Sequence, residues 1–324
     1  IDKNKGETSL VLHLLVQISN NHRRIPDFIN KIQQILQLLF NIIKASFTNS
    51  ELFNILKNNK LMMLFFIKNQ ILSIDKEIFE EMLIINPKSR TKYHYFFYPE
   101  IKKFLENKEI EKIDQELAQY NPNVFVYFDE RRKIGENESY ICELIRSDSI
   151  QDFIILINRE NYSVNKEIED SIFETNPFLM ENKPSLIEYA AFFGSIQIFQ
   201  YLKMNRAEMN PSLWLYAIHG QNAEIIHKLE SESVPLPNCK YDKCVSESIK
   251  LHFEYRKSKF FSLDKSHINF LAEFYRDDRI LNIENYIELQ PNDPYFILTY
   301  ESIKCHHNDF ARYFQDYFLN NNEI

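Results

Sequence analysis

The chain has 324 residues, 44% of them hydrophobic and 26% charged, and its 27 Phe and 18 Tyr exclude a globally disordered polypeptide. Only four glycines occur, at Gly6, Gly135, Gly194 and Gly220. Their scatter excludes the glycine-rich loops that cradle phosphates, and their scarcity argues against a fold of many tight β-hairpins. With 38 basic against 46 acidic residues and no basic run longer than clusters such as Arg131-Arg132-Lys133, nucleic acid is not expected as a partner.

In chain order, the first apolar stretch is Ser9 to Ile18 (SLVLHLLVQI). It carries His13 and lacks a small-residue cleavage pattern, so it reads as a core helix rather than as part of a signal peptide. Ile25 to Ile43 follows, with apolar residues at Ile25, Phe28, Ile29, Ile32, Leu36, Leu39, Ile42 and Ile43 around Pro26. That helical stripe is wide enough to be buried on more than one side. Residues 1–50 are therefore expected to form a helical cap or degenerate repeats, with Ile25 to Ile43 a candidate element of self-association. The longest strongly apolar run, Leu61 to Ile67, falls far short of the roughly 20 residues of a spanning helix, so membrane insertion is not expected.

Internal repetition organises the rest. Glu247-Ser248-Ile249-Lys250 recurs as Glu301-Ser302-Ile303-Lys304, and Ser185 to Leu202 (SLIEYAAFFGSIQIFQYL) superimposes without gaps on Ser212 to Leu229 (SLWLYAIHGQNAEIIHKL), 27 residues later. The shared unit is a small or apolar pair, two variable residues, two turn residues and an amphipathic run with anchors at Ile196, Phe199 and Leu202. The second residue of the pair recurs at Leu56, Leu105, Ile145, Ala191, Ile218, Ile249, Tyr275 and Ile303, most regularly over the last five. Ser185 and Glu188 form a capping box after Pro184. Gly194 is placed to adopt the left-handed conformation that turns one helix into the next, and Asn59, Asp148 and Gln221 stand at the equivalent place. Ala190, Ala191 and Ala217 allow close helix approach. Divergent helical repeats are thus expected over residues 51–134 and a regular array over 135–324.

Ser185 to Gly194 resembles the ankyrin consensus T-P-L-H-x-A-A-x-x-G, departing at its Pro and His. The 27-residue spacing is shorter than the ankyrin value of about 33, so few or no projecting β-hairpins are expected. The stretches SLIEYAAFFGSIQIFQYL, SLWLYAIHGQNAEIIHKLE and ESIKCHHNDFARYF are similar to an ankyrin-like domain family of unknown function that is greatly expanded in flagellate protists; the resemblance covers residues 50–320. It implies an all-α, ankyrin-like helical repeat solenoid of stacked helix-turn-helix units. It also implies a non-enzymatic scaffold for a protein partner, with no catalytic residues to carry over.

The chemistry-bearing residues fit that expectation. Cys142, Cys239, Cys244 and Cys305 are too few for a disulfide framework and read as reduced thiols in an intracellular, cytoplasmic setting. Cys239-x4-Cys244 with His252 matches no common zinc spacing. Cys305-His306-His307 could carry a regulatory or catalytic role, which is the alternative function, but its register is that of an exposed turn. Trp214 shares the register of Ile187 and is expected to be buried between stacked units. Glu109 to Glu116 reads as the solvated face of a helix with Ile110, Ile113 and Leu117 inward. No H-E-x-x-H, G-x-S-x-G or P-loop pattern occurs, so no catalytic residue, metal or cofactor is assigned.

Overall fold

A computed structural model of the chain describes residues 2–21, 27–85 and 92–235, together with Glu247. The described residues are mostly helical, with fifteen α-helices and no β-strand, and the protein is all-α over this range. Two compact units are formed, one of Ile1–Glu143 with Glu167–Pro184 and the other of Leu144–Lys166 with Ser185–Ile324.

The first unit begins with α1 (Asp2–Asn21) and α2 (Phe28–Ser46). Leu12, Leu15 and Val16 of α1 and Ile32, Leu36 and Ile43 of α2 are buried, so the apolar run at Ser9–Ile18 is a core helix. Thr48 and Glu51 cap α3 (Asn49–Leu56) reciprocally, satisfying two orphan amides, and α4 (Lys60–Lys68) follows after three residues. α5 (Lys76–Ile84) starts where the Asp75 carboxylate accepts the Ile78 amide at 3.0 Å. α1 packs against α2 and α3, and α3 against α4 and α5, so the N-terminal helices enter the same pairwise packing as the Leu56 unit.

At Leu105 the repeat register is not followed. Tyr93–Phe97 forms a 3₁₀ helix whose five side chains are all buried, and α6 (Tyr98–Ile101) and a second 3₁₀ turn (Lys102–Phe104) follow. A run of consecutive aromatics offers no polar face to present to water along one side of an α-helix. α7 (Asn107–Tyr120) then starts through a Glu106/Glu109 capping box, which draws the expected turn at Lys108–Glu109 into the helix itself. Ile113 and Leu117 point inward as the periodicity requires, while Ile110 is half-buried. α8 (Phe128–Ile134) has Asp129 and Glu130 in its first turn, Arg131, Arg132 and Lys133 in its last, and Gly135 at φ 67° as its C-cap, charges and cap both matched to the helix dipole and termini.

The second unit takes in the end of α9 (Tyr140–Arg146), α10 (Ile150–Glu160), α12 (Leu186–Phe193), α13 (Ile196–Met204), α14 (Leu213–Gly220) and α15 (Ala223–Ser231); α11 (Pro177–Glu181) belongs to the first. The three turns expected after Ile145, Ala191 and Ile218 are present, with Asp148 at φ 50°, Gly194 at φ 72° and Gln221 at φ 50°, all left-handed. Asn59 differs: its φ is −139°, and its side chain instead caps α4 by accepting the Met62 amide at 2.9 Å. A side-chain cap at Asn59 starts α4 one residue early and removes the need for the left-handed residue. The second helices hold their anchors at Phe153 and Leu156, and at Phe199 and Leu202, while Ile150 and Ile196 at the first helical position are half-buried. α12 packs extensively on α14 and on α13, and α10 packs on α13. Ala190, Ala191 and Ala217 have no exposed surface, and Gly220 lies so close to α12 that a Cβ there would stand 2.1 Å from the Ala191 carbonyl oxygen.

Candidate interaction surface

Every residue of α12 from Leu186 to Phe192 and of α14 from Leu213 to Ile218 is buried, so these two helices offer no accessible face. Exposed apolar side chains lie elsewhere, and three are consecutive: Phe125, Val126 and Tyr127, the last 70% exposed. The segment joins α7 to α8 as NPNVFVY. Loops that present large apolar groups to water are usually soft, but this one is held at several points.

The Asn121 side chain accepts the Asn123 amide at 2.9 Å, an Asx turn set before and after Pro122. The Val124 amide bonds the Asn121 carbonyl and the Val126 amide bonds the Asn123 carbonyl, at 2.9 and 3.0 Å. Arg131 donates to the Asn123 carbonyl at 3.1 Å while its guanidinium lies 5.8 Å from the centre of the Phe173 ring. Val124 is fully buried beneath the tip, and Phe125 packs against the Tyr98 and Phe128 rings. Tyr127 itself sits at φ 56°, ψ 34°, a left-handed conformation that costs a bulky residue on the order of 1–2 kcal/mol and persists because its surroundings impose it. Two turns along α8 from Tyr127, Ile134 is exposed as well.

Beneath the loop the first unit is cross-tied by buried charge. Arg132 has no exposed surface; its guanidinium makes a forked pair with Glu100 at 2.6 and 3.0 Å, donates to the Phe96 carbonyl at 3.1 Å and to Asp129, and stacks on Phe128. Of the basic cluster Arg131-Arg132-Lys133, Arg132 is thus buried and Arg131 is engaged at the surface of the fold. Lys60 is also buried, its Nζ donating to the Glu174 carbonyl at 3.3 Å and lying over the rings of Tyr93 and Phe96. Burial, opposed by the Glu174 carboxylate, pushes Lys60 down to about 8. His94, packed edge-on against Tyr95, is pushed down to about 4 by burial and then by Lys92, against the pull of Glu116.

The residues singled out from the sequence fall as follows. Trp214 is buried, and its indole N–H donates to the Val234 carbonyl at 3.1 Å, so it is a core residue. The acidic face of α7 is solvated at Glu109 and Glu111, as expected, but two of its carboxylates find internal partners: Glu116 accepts from Lys92 at 3.1 Å and from the Tyr95 hydroxyl, and Asp114 from the Tyr98 hydroxyl at 2.6 Å. Cys142 is a buried thiol. Cys239, Cys244, His252, Cys305, His306 and His307 lie outside the described residues, as do the repeat copies at Ile249, Tyr275 and Ile303. Among the described residues no group of three His, Cys, Asp or Glu side chains could hold a metal ion, and no helix is long and apolar enough to cross a membrane. Periodicity did not flag Phe125–Tyr127; the signal was three apolar residues stranded between Asn-Pro-Asn turn chemistry and a charged helix.

No family model, no curated protein and no solved structure matches this chain.

Proposed function

We propose that this chain is a non-enzymatic protein-interaction scaffold built from ankyrin-like helix pairs, with Phe125, Val126 and Tyr127 as anchors for a protein partner. The observation that carries the reading is the rigid presentation of those three side chains. Burying one such side chain contributes about 1.5–3 kcal/mol, and a pre-ordered loop loses little conformational entropy on binding. Aromatic anchors of this kind dominate protein interfaces.

Support for the repeat architecture comes from contacts that recur at equivalent positions. Arg146, one residue after Ile145, donates to the Tyr189 hydroxyl at 3.1 Å, two residues before Ala191. His219, one residue after Ile218, pairs with Glu247 at 3.0 Å, two residues before Ile249. The turns are linked as well: the Asp148 carboxylate accepts the Gln197 and Ile198 amides at 3.0 Å, the Ser195 hydroxyl donates to the Ile145 carbonyl, and the Asn222 side-chain carboxamide donates to the Gly194 carbonyl at 3.4 Å. Glu188 stands where the ankyrin consensus has His; it accepts from Ser185 in its own capping box and at 2.5 Å from Ser212, the equivalent serine 27 residues on. Each contact joins one unit only to its neighbour, as a stacked array requires.

The test is affinity capture from an extract of the native cell with the full chain and with a Phe125→Ser, Tyr127→Ser variant. The expected result is a protein partner whose recovery falls at least tenfold with the variant while its circular dichroism is unchanged. Equal recovery by both chains overturns the assignment of the loop, and absence of any stoichiometric partner overturns the scaffold reading.

A further inference from the structure

α2 carries two apolar stripes, and the fold uses one. Ile32, Leu36 and Ile43 are buried in the core of the first unit, with Leu39 half-buried beside them. Ile35, Leu38 and Ile42 face water, Leu38 with 83% of its surface exposed. The exposed residues extend as Lys31, Ile35, Leu38, Ile42 and Ala45, spaced alternately by four and three, while Phe28, one step before them, is half-buried against the core. That alternation is the a/d seam of a two-stranded coiled coil, with β-branched Ile at a and Leu at d through its centre.

We propose that this seam pairs with α2 of a second copy of the chain, making a two-fold homodimer. The charge pattern admits this occupant. A second copy brings the same net charge of −8, and α2 has no charged residue between Ile32 and Ile43, so the copies meet where neither repels the other. The exposed residues flanking the seam are Gln34 and Asn41, and a carboxamide both donates and accepts, so Gln34 of one copy can bond Asn41 of the other. A lipid surface is a poorer fit, because an interfacial helix carries a strongly basic polar face and α2 has only Lys31 and Lys44 near its ends. Antiparallel pairing sets Ile35 against Leu38 of the second copy and Ile42 against the aliphatic stem of its Lys31, and keeps the two Lys31 side chains apart. The helix is already formed by its packing on α1, so pairing does not have to order it first. One helix pair about 28 Å long covers less than the ~800 Å² per partner of a standard interface, so the expected dimer is weak and reversible.

Sedimentation of the full chain is the test. A monomer–dimer equilibrium is expected over roughly 1–200 µM, shifted at least tenfold toward monomer by Leu38→Glu and unaffected by Met204→Glu, a substitution at an equally exposed side chain on α13. The double variant Gln34→Glu, Asn41→Glu, which sets carboxylates of the two copies against each other along the flank of the seam at exposed positions, is expected to weaken the dimer in the same direction should Leu38→Glu disturb folding. A chain that stays monomeric throughout overturns the proposal, as does a dimer indifferent to both α2 variants. A monomer that floats with neutral phosphatidylcholine vesicles through Leu38 assigns the face to lipid and overturns it too.

Discussion

Replacing glycine by alanine inside a helix ordinarily stabilises it by up to ~1 kcal/mol, because alanine surrenders less backbone entropy. Gly220 should do the opposite. Its added Cβ would stand 2.1 Å from the Ala191 carbonyl oxygen and 3.3 Å from both the Ala191 carbonyl carbon and the Phe192 oxygen, so α12 and α14 would have to part by about 1 Å to restore ordinary contact. The atoms that would separate are fully buried ones, Ala190, Ala191 and Ala217 among them. A gap of that size forfeits a quarter to a half of each dispersion contact, and overpacking of this kind costs about 1–3 kcal/mol, more than the helical gain. Gly220→Ala is therefore expected to lower the melting temperature by roughly 2–8 °C. Gly6 supplies the internal control, since it lies in α1 with nothing within 4 Å of its added Cβ, and Gly6→Ala should be neutral or raise stability by up to ~1 kcal/mol. Thermal and urea unfolding followed by circular dichroism reads both. If Gly220→Ala is as stable as the parent, α12 and α14 do not meet at Ala191.

Three further expectations follow from buried charge. Arg132→Leu leaves the Glu100 carboxylate largely buried without its cation and should cost about 3–5 kcal/mol in urea unfolding, with Arg132→Lys in between because an ammonium cannot make the fork. For Lys60, the unfolded chain binds more protons than the folded one between pH 8 and the ordinary lysine value of 10.5, so stability rises with pH across that window and the cost is constant below it. Lys60→Met should remove that rise and be more stable than the parent at pH 7, by up to ~3 kcal/mol, measured as the difference between the two chains at pH 7 and 9.5. His94 is held neutral, so its contribution is complete above its ordinary 6.5 and lost as pH falls toward 4; His94→Phe should flatten the acid side of the stability profile relative to the parent.

The helical class, the capping box at Ser185 and Glu188, the left-handed turns at Asp148, Gly194 and Gln221 and the burial of Trp214 were all legible in the sequence, because each is decided by residues within a turn or two or by a register that repeats. Where two local signals compete, periodicity alone does not choose. Asn59 caps α4 with its side chain instead of taking a left-handed backbone, and the Glu106/Glu109 box at the start of α7 overrides the turn expected after Leu105.

Only the tertiary structure decided which charges are inside and which apolar groups are outside. Arg132 stands in sequence within the basic cluster Arg131-Arg132-Lys133, yet it is buried against Glu100, 32 residues away, and Lys60 reaches the Glu174 carbonyl across 114 residues. No short-range pattern encodes such partners, since the desolvation of a buried cation is offset by whatever the folded chain brings to it. The same holds for α2, whose sequence shows two apolar stripes with equal claim to the core. Packing against α1 chose Ile32, Leu36 and Ile43, and left Ile35, Leu38 and Ile42 in water.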